Sequence, residues 1–424
     1  MKVLHLNTYD IAGGAARAAY GLHRGLSDLG HSSSMFVCCS SSDDPTVVPF
    51  QPRRDLLTRL RRRLRSTQID RDWARYRNSR PAGYEPFSDD RSPYGDDLLT
   101  QLPQSDVINL HWIAGFIDYG SFFASVPRAT PVIWTLHDMN AFTGGCHYSF
   151  GCERYTERCG LCPQLGSHNH RDLAEQVWQR KLDALTRIPP TGLHIVAPSR
   201  WLAHEVKRST LSKHFPVSVI PYGVDTEAFA PRDRLTARDV FGLPRDARVI
   251  LFVSEGVGNR RKGMALLGQA LDSLRDLPNV VLISVGRGEP IDLKVPSIHL
   301  GFIDNDRVLS LVYSGADLLV VPSLQDNLPN TVLEAMACGT PVVGFDTGGV
   351  PDMVRPGITG MLAPLEDAIA LRTAIVEILR SPERRVAMAA NCRRVVMEEF
   401  TLELQARRYA ELYDASIRKI CPSA

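Results

Sequence analysis

The sequence predicts an α/β protein built from two doubly wound parallel sheets. Short β-branched runs alternate with helical stretches through both halves of the 424 residues, which is typical of parallel sheets covered by helices. Glycine-rich or charged loops follow several of these strands where the next helix begins. The composition, 44% hydrophobic and 23% charged, is that of ordinary globular domains.

The predicted elements follow one another in the same order in each half. The first strand, Val3–Asn7, leads through Gly13-Gly14 into a helix over Ala15–Leu29. Further strands are expected at Asp106–Leu110, Val132–Leu136 and His194–Ala197 in the first half, and at Val249–Val253, Val280–Val285, Leu318–Val321 and Val342–Phe345 in the second half. The boundary between the halves is predicted near Pro221–Asp225, before the charged stretch Pro231–Arg245.

Charge and hydropathy limit the function classes. The formal net charge is +2, so no overall field favours nucleic acid as a partner. No apolar run approaches the roughly 20 residues that cross a bilayer, and the N-terminal apolar run reads as a strand and not as a signal-peptide core. We therefore expect a cytoplasmic protein that does not bind nucleic acid.

The most informative segment runs from Val320 to Val343. An apolar strand ends at Pro322, a polar loop follows, and a helix begins near Asn330. The carboxylates Asp326 and Glu334 have seven residues between them. A strand that leads into a helix N-terminus presents backbone N–H groups at the sheet edge where open α/β sheets bind phosphorylated ligands.

This segment resembles the donor-sugar site of retaining glycosyltransferases of family 4, which have the GT-B fold of two Rossmann-like domains with an interdomain cleft. The family signature has two glutamates separated by seven residues and then Ala-Met-Ala-x-Gly-x-Pro-Val. Here Asp326 replaces the first glutamate, and Glu334 is the second. The resemblance implies that Glu334 holds the ribose of a nucleoside diphosphate sugar. It also implies that Asp326 and the backbone N–H groups after it, at Asn327, Leu328 and Asn330, bind the sugar hydroxyls.

The resemblance also assigns the loop after the second half's first strand. Lys262-Gly263 match the family, whose fixed cations offset the charge that builds up on a departing diphosphate. The family arginine falls where this chain has glycine, so either Arg260 or Arg261 is expected to replace it. A solvated basic loop is the alternative.

Further residues near strand ends are also candidates for ligand contact. Gly13 and Gly14 are expected near the acceptor and the diphosphate, although such a pair also suits any tight βα turn. Gly286 is expected near the nucleobase. His137, at a strand end, is expected to face the transferred sugar, and His111 is a weaker candidate on the acceptor side. Catalysis in such enzymes needs no metal.

A cluster of four cysteines is the unusual feature of the first half. Five, six and two residues separate its successive members, Cys146, Cys152, Cys159 and Cys162. The last pair has the spacing of a zinc knuckle, and a reducing cytosol favours zinc over disulfides. Structural zinc, free thiols and disulfides all remain open. The stretch from Thr143 to His147 resembles a polysaccharide-biosynthesis branch of the family, that of the colanic acid glycosyltransferases.

Residues 53–80 are rich in arginine. Leu56, Leu57, Leu60 and Leu64 lie on one face of a predicted helix. The arginines are Arg53, Arg54, Arg59, Arg61, Arg62, Arg63, Arg65, Arg71, Arg75, Arg77 and Arg80. A basic amphipathic helix suits an anionic membrane surface. A solvated helix or an RNA-binding patch is the alternative.

Together these observations predict a hexosyltransferase with an acceptor domain over 1–225, a nucleotide-sugar domain over 226–402 and a helix over 403–424 that crosses back to the first domain. It would transfer a hexose, with retention, to a lipid-linked glycan of a cell-surface polysaccharide at the inner face of the membrane. The alternatives are a nucleotide-sugar epimerase of GT-B fold and a non-catalytic glycan-binding scaffold.

Overall fold

The computed structural model describes residues 1–272, 274, 277–289 and 293–420. The chain forms two compact units. Unit 1 comprises Met1–Pro221 together with the C-terminal segment from Gln405, and unit 2 comprises Tyr222–Leu404. The functional domain boundaries at residues 225 and 402 stay a prediction.

Each unit contains one parallel sheet. The strands are β1 (Lys2–Tyr9), β2 (Ser32–Cys39), β3 (Val47–Pro49), β4 (Val107–Leu110), β5 (Val132–Thr135), β6 (Leu193–Ala197), β7 (Val217–Val219), β8 (Arg248–Gly256), β9 (Val280–Arg287), β10 (Ser297–His299), β11 (Leu318–Val321), β12 (Val342–Phe345) and β13 (Gly360–Ala363). The eight strands expected from the sequence are confirmed, with ends that differ by at most three residues.

Helices connect the strands. They are α1 (Gly14–Asp28), α2 (Leu56–Ala74), α3 (Tyr119–Ser125), α4 (Leu173–Leu185), α5 (Arg200–Arg208), α6 (Arg234–Val240), α7 (Met264–Leu271), α8 (Asp306–Gly315), α9 (Asn330–Ala337), α10 (Val350–Met353), α11 (Ala368–Arg380), α12 (Pro382–Glu399) and α13 (Leu402–Ile420). Short 3₁₀ turns lie at Gly95–Asp97, Leu99–Gln101, Asn140–Phe142, Arg154–Thr156, Pro163–Leu165 and Arg260–Lys262.

The unit 1 sheet has the strand order β3-β2-β1-β4-β5-β6-β7. Its inner strand β1 is buried at six consecutive positions between two exposed ends, as expected of a parallel strand with both faces covered. Its main core consists mostly of aromatic and aliphatic side chains, such as Phe36, Phe116 and Trp134. The order reverses direction between β1 and β4.

The unit 2 sheet has the order β10-β9-β8-β11-β12-β13. All of its strand pairs are parallel, and its order likewise reverses between β8 and β11. Both sheets are therefore doubly wound, which confirms the predicted fold class. Buried aliphatic side chains such as Ile250, Val343 and Ile375 form the core of unit 2.

The C-terminal helix α13 packs against the sheet of unit 1. Its buried Tyr409 and Tyr413 join an apolar cluster with Val3, Val107 and Ile133. This helix also makes two buried polar contacts. Asn109 Nδ2 donates to Tyr413 Oη at 2.7 Å, and the hydroxyls of Thr135 and Tyr409 lie 2.9 Å apart. Because an unpaired buried polar group is costly, these contacts determine the position at which the helix binds.

No helix among residues 1–272, 274, 277–289 and 293–420 combines the length and the apolar character needed to cross a membrane. The helix predicted in the arginine-rich segment is α2, and Asp55 caps it by accepting a hydrogen bond from the Thr58 N–H at 2.9 Å.

Replacing Tyr413 with Phe should destabilise unit 1 by about 1–2 kcal/mol, because it leaves the buried Asn109 amide without this acceptor. All five tryptophans, Trp73, Trp112, Trp134, Trp178 and Trp201, lie in unit 1, so tryptophan fluorescence during urea unfolding measures that unit. Tyr9→Phe is the control, since Tyr9 is 40% exposed. Equal midpoints for the two variants would contradict the role of this hydrogen bond.

Candidate functional site

The candidate site in unit 2 lies where its strand order reverses. In a doubly wound sheet, the loops after the two strands at the reversal diverge and leave a crevice at their carboxyl ends. The Arg260–Lys262 turn follows β8, and Asp326 follows β11. The sequence-predicted cations and the first carboxylate therefore lie on the two loops that form the crevice.

Asp326 joins these two loops through a pair of ionic contacts. Lys262 Nζ lies 2.5 Å from Asp326 Oδ2, and Arg261 Nη1 lies 3.2 Å from Asp326 Oδ1. Ser323 Oγ donates to Asp326 Oδ2 at 3.2 Å, and Arg261 Nη1 also donates to the Gln325 carbonyl at 3.0 Å. One carboxylate thus orients two cations, and together the three groups carry a net charge of one positive unit.

The ionisation of Asp326 depends on these cations. Burial by itself would raise the pKa of Asp326, but Lys262 and then Arg261 outweigh burial and lower the pKa to about 2. The side chain of Asp326 is 7% exposed, so solvent screens these contacts weakly. The carboxylate is therefore charged at every physiological pH.

Two glycines let the backbone of this site close around Asp326. Gly263, at φ 72°, lies so near Pro322 that a Cβ would stand 1.7 Å from the Pro322 carbonyl oxygen. Gly348, at φ 57°, would place a Cβ 1.8 Å from the carbonyl oxygen of Asp326. No other residue fits either position without moving the backbone. The loops that carry the cations and the carboxylate are thereby held in contact.

Glu334 lies on α9, one turn inside the helix that begins at Asn330. Tyr313 donates a hydrogen bond from its hydroxyl to Glu334 Oε2 at 2.8 Å, and Glu334 is 8% exposed. The first turn of α9 has no acidic residue, so no carboxylate there offsets the positive end of the helix dipole. Asn327 and Leu328, in the loop before α9, are buried.

The two candidate arginines have different surroundings. Arg261 is buried and is paired with Asp326, whereas Arg260 is exposed. Gly286 lies in β9, beside the end of β8, where a Cβ would stand 2.1 Å from the Ser254 carbonyl oxygen. The roles of Arg260, Arg261 and Gly286 in ligand contact stay predictions.

In unit 1, Gly13 precedes α1 and Gly14 begins it, and three histidines form a hydrogen-bonded chain across the sheet. His5 Nδ1 lies 2.9 Å from His111 Nε2, and His111 Nδ1 lies 3.1 Å from His137 Nε2. His5 belongs to β1, while His111 and His137 follow β4 and β5 closely. All three are buried.

The surroundings keep these imidazoles neutral. Burial, and next the neighbouring His23, hold the pKa of His5 well below its usual value. Burial, and then His5 and His137, lower the pKa of His111 in the same way. Burial lowers the pKa of His137 to about 4, against an opposing effect of Asp138.

The state of His5, the first member of the histidine chain, indicates the direction of hydrogen-bond donation along the three imidazoles. The buried His5 Nε2 has no hydrogen-bond partner among the described residues. Because an orphaned N–H donor is rarer than an unpaired acceptor, we assign the proton of His5 to Nδ1. Donation then runs from His5 to His111 to His137, and His137 carries its proton on Nδ1.

His137 borders a cavity of about 20 Å³ lined by aromatic and polar side chains such as Trp112, Tyr119 and Asp138. Asp138 Oδ2 lies 2.6 Å from His147 Nδ1 and accepts from Trp112 Nε1 at 2.9 Å. The strand end predicted to face a sugar is thus ordered by a polar network.

The cysteine cluster, Cys146, Cys152, Cys159 and Cys162, surrounds a second cavity of unit 1. Across the part of the chain that the structure describes, no three His, Cys, Asp or Glu side chains stand ready to hold a metal ion. The described cysteines are free thiols, including all four of the cluster. Zinc binding by the cluster stays a prediction.

Sequence analysis did not identify several residues that support these sites. Tyr313 holds Glu334 from α8, Ser323 contacts Asp326, and His5 begins the histidine chain. Tyr313 and His5 carry no local motif, because their role comes from a neighbouring element far away in sequence. The position of Ser323, directly before the polar loop, was the one available signal.

Two family descriptions match the chain. "Glycosyltransferase Family 4" matches residues 12–228, and "Glycosyl transferases group 1" matches residues 247–381. Among curated proteins, a D-inositol 3-phosphate glycosyltransferase of Thermobispora bispora is 31% identical over 222 residues, which are 48% of this chain and 51% of that protein. A D-inositol 3-phosphate glycosyltransferase of Mycobacterium tuberculosis is 33% identical over 194 residues, which are 42% of this chain and 39% of that protein. The chain spans about half the length of these relatives or less.

Solved structures match over nearly the whole chain. HepE of Anabaena, in complex with UDP-glucose, has a TM-score of 0.67 at 15% identity and covers 98% of this chain and 100% of its own. Sucrose-phosphate synthase of Thermosynechococcus elongatus has a TM-score of 0.66 at 21% identity, covering 98% and 99%. WaaG, a glycosyltransferase involved in lipopolysaccharide biosynthesis, has a TM-score of 0.61 at 15% identity. The match covers 99% of this chain and 100% of WaaG. These matches confirm the GT-B fold.

Replacing Asp326 with Asn should destabilise unit 2 at pH 7 because two cations lose their shared carboxylate. A pKa lowered from 3.8 to about 2, at about 1.4 kcal/mol per pH unit, corresponds to about 2 kcal/mol. The folded-state pKa lies below the unfolded-state value, so this stabilisation is complete above about pH 4 and disappears as pH falls towards 2.

The measurement is urea-dependent hydrogen exchange of α9 at several pH values, comparing the variant with the parent. The difference between them should narrow below pH 4. Asp272→Asn is the matched control, since its partner Lys294 is 67% exposed and surface pairs contribute at most about 1 kcal/mol. A difference that does not depend on pH would contradict the ionic role of Asp326.

The histidine chain predicts tautomers that can be observed. In ¹⁵N-labelled protein, His111 and His137 should be neutral at pH 6 with the proton on Nδ1, and His137 should titrate near 4. Because the unfolded state binds these protons at about 6.5, the stability of unit 1 should fall as pH decreases from 6.5 to 4. Titration of His137 near 6.5 would contradict this assignment.

Proposed function

The chain belongs to glycosyltransferase family 4, and from that premise we propose that it transfers a hexose from a nucleoside diphosphate sugar to a hydroxyl group, with retention of the anomeric configuration. The observation that carries this proposal is the Lys262–Asp326–Arg261 arrangement on the two loops at the strand reversal of unit 2. It places fixed positive charge where a doubly wound sheet binds phosphates.

The chemistry follows from these groups. As the bond from the anomeric carbon to the diphosphate breaks, negative charge grows on the leaving phosphate. Lys262 and Arg261, held in position by Asp326, would stabilise that charge without reorganisation. Asp326 itself is occupied by these cations, so we assign it to their positioning as well as to the sugar contact that the resemblance implies.

Glu334 would bind the ribose hydroxyls. Its Oε2 accepts from the Tyr313 hydroxyl, which orients the carboxylate, and a carboxylate can accept further hydrogen bonds from hydroxyl groups. Asn327, Leu328 and Asn330 would add backbone contacts at the beginning of α9. His137 retains the role that the resemblance implies, contact with the transferred sugar. We propose no metal requirement for this reaction.

A UDP-sugar is the first donor to test, because a structure of the same fold is in complex with UDP-glucose. A thermal-shift panel of UDP-, GDP- and ADP-sugars reports binding, since a bound donor stabilises by RT ln(1 + [L]/Kd). If none of these nucleotide sugars stabilises the protein, the proposal that it binds a nucleotide-sugar donor is wrong. Binding of a donor without turnover would favour the non-catalytic scaffold. Conversion of the donor's sugar in the absence of an acceptor would favour the nucleotide-sugar epimerase.

The acceptor proposal is a lipid-linked glycan of a cell-surface polysaccharide. The curated relatives are named for D-inositol 3-phosphate, so that compound is the matched alternative acceptor in the same assay. Transfer to a glycan supports our assignment. Transfer to inositol phosphate alone would replace it.

Lys262→Ala should lower kcat by about 10²-fold and affect the donor Kd much less, because the charge that Lys262 stabilises grows in the transition state. Lys294→Ala, on the same unit but 67% exposed, is the control and should retain full activity. A rise in the donor Kd with unchanged kcat would mean that Lys262 contributes uniform binding instead.

We also propose that α2 attaches the protein to an anionic membrane. Leu56, Leu57, Leu60 and Leu64 are 80%, 69%, 55% and 62% exposed, and no residue of α2 is buried. Burial of these exposed leucines in the apolar part of a membrane would be favourable, and the arginines around them would bind anionic lipid headgroups. Arg65 Nη2 lies 2.6 Å from Asp118 Oδ2, and this contact anchors α2 to the rest of unit 1.

Replacing Arg59, Arg61 and Arg63 with Gln should weaken binding to anionic liposomes, and salt should weaken it further, since each charge is worth up to about 1 kcal/mol there. The control removes three exposed arginines elsewhere in unit 1, Arg128, Arg171 and Arg187. Sedimentation with liposomes is the measurement. Equal binding by both variants, or equal binding to zwitterionic liposomes, would overturn the membrane proposal.

A further inference from the structure

The segment from Thr143 to Asp172 is long and irregular for a compact unit. Between the 3₁₀ turn Asn140–Phe142 and helix α4 it contains only two further 3₁₀ turns, Arg154–Thr156 and Pro163–Leu165. Loops longer than about 15 residues without regular structure are uncommon and need some special stabilisation. The buried apolar side chains of this loop include Tyr155 in the main core of unit 1, and Cys162 and Leu165 in a small apolar cluster with α4.

The four cysteines of the cluster all come from this loop and face one cavity. The cavity measures about 20 Å³, which has room for a single particle the size of a water molecule. Its remaining lining, including Phe87, Tyr155 and Ala174, contributes no carboxylate and no imidazole. The cavity therefore offers a donor set made of sulfur alone, which selects soft or borderline cations such as zinc.

Hydrogen-bond donors point at the sulfur atoms. The Gly144 N–H donates to Cys159 Sγ at 3.2 Å. Burial raises the pKa of the Cys162 thiol, and the N–H groups of Leu165 and Gln164 act against that rise. Burial likewise raises the pKa of Cys146, and the Thr143 hydroxyl, which donates to the Cys146 carbonyl at 2.6 Å, acts against it. Such donors stabilise thiolates and orient them around a metal.

Close packing makes one of these bonds possible. A Cβ at Gly144 would stand 2.2 Å from the Ala174 carbonyl oxygen and 2.7 Å from Cys159 Cβ. Only glycine brings the backbone near enough for its N–H to reach the sulfur.

Positive charge also surrounds the cluster. Lys181 is fully buried, and its Nζ donates to the carbonyl oxygens of Asn140 and Thr143, at 2.5 and 3.2 Å. The Lys181 charge acts on Cys146 and Cys159, and the charge of Arg80 acts on Cys162. Asp172, an acidic neighbour of Cys162, accepts the Cys162 N–H and caps α4. Four thiolates around a divalent cation carry two net negative charges, which this shell would offset.

We propose that one zinc ion is bound in unit 1 by the four thiolates of the cysteine cluster, Cys146, Cys152, Cys159 and Cys162, and that it cross-links the loop 143–172. On binding, each thiol releases its proton to water and forms a zinc–sulfur bond, with no change of oxidation state. The side chains must rotate towards the cavity centre, because they do not yet stand in metal-binding geometry. All four positions are filled by protein, so this zinc orders the loop and takes no part in sugar transfer.

The test uses the full chain purified from a reducing cytosol. We expect about one zinc per chain by elemental analysis, released when a mercurial reagent blocks the thiols. Cobalt in place of zinc should produce the absorption bands of a tetrahedral thiolate site. Hydrogen exchange of 143–172 should increase on zinc removal, while exchange in unit 2 should not change.

The variants Cys146→Ser and Cys159→Ser should lose most of the zinc. Cys39→Ser, which changes an exposed cysteine outside the cluster, is the matched control and should retain it. If the serine variants do not fold, the zinc content and the cobalt spectrum of the parent chain test the proposal instead. Less than about a tenth of an equivalent of zinc with four titratable cluster thiols, or two disulfides by mass spectrometry, would overturn the proposal.

Discussion

The contact on which the candidate site most depends is the one between Asp326 and its two cations. It joins the loop after β8 to the loop after β11. A backbone hydrogen bond from the Leu324 N–H to the Arg261 carbonyl, at 2.8 Å, joins the same two loops. A buried carboxylate between Lys262 and Arg261 strengthens that connection and also keeps two like charges close together. Without it, the cations would repel each other and turn towards solvent. The same interaction therefore stabilises unit 2 and, under the function we propose, prepares a crevice for the diphosphate of the donor.

Unit 1 is organised by a different kind of polar contact. Several of its buried polar groups are neutral and hydrogen-bonded, as in the histidine chain and in the contacts of Tyr409 and Tyr413 with Thr135 and Asn109. Such networks add little net free energy but penalise any arrangement that leaves a member unpaired. They determine where α13 binds and which tautomer His137 adopts.

The irregular loops of unit 1 differ from its sheet in how they are held. The sheet is stabilised by buried aromatic and aliphatic side chains. By contrast, α2 has no buried residue, and the cysteine loop, although it buries Tyr155, Cys162 and Leu165, has no regular secondary structure beyond two 3₁₀ turns. Both segments fall at places where an external group, a cation or a lipid surface, would supply what the local core does not. This is why we assign an ion to the cluster and a membrane to the exposed leucines.

The sequence by itself determined the fold class, eight of the thirteen strands that the structure describes, and the cations and carboxylates of the candidate site. Buried parallel strands are continuous apolar runs, and glycines and charges mark the loops after them, so Leu318–Val321, Lys262 and Glu334 are visible locally. It could not show that Asp326 pairs with Lys262 and Arg261, that Tyr313 holds Glu334, or that His5 contacts His111. Those contacts join residues up to 106 positions apart, and local patterns carry no information on distant pairing. Only the tertiary structure decided them, because strand order brings these loops together and burial then gives each contact its strength.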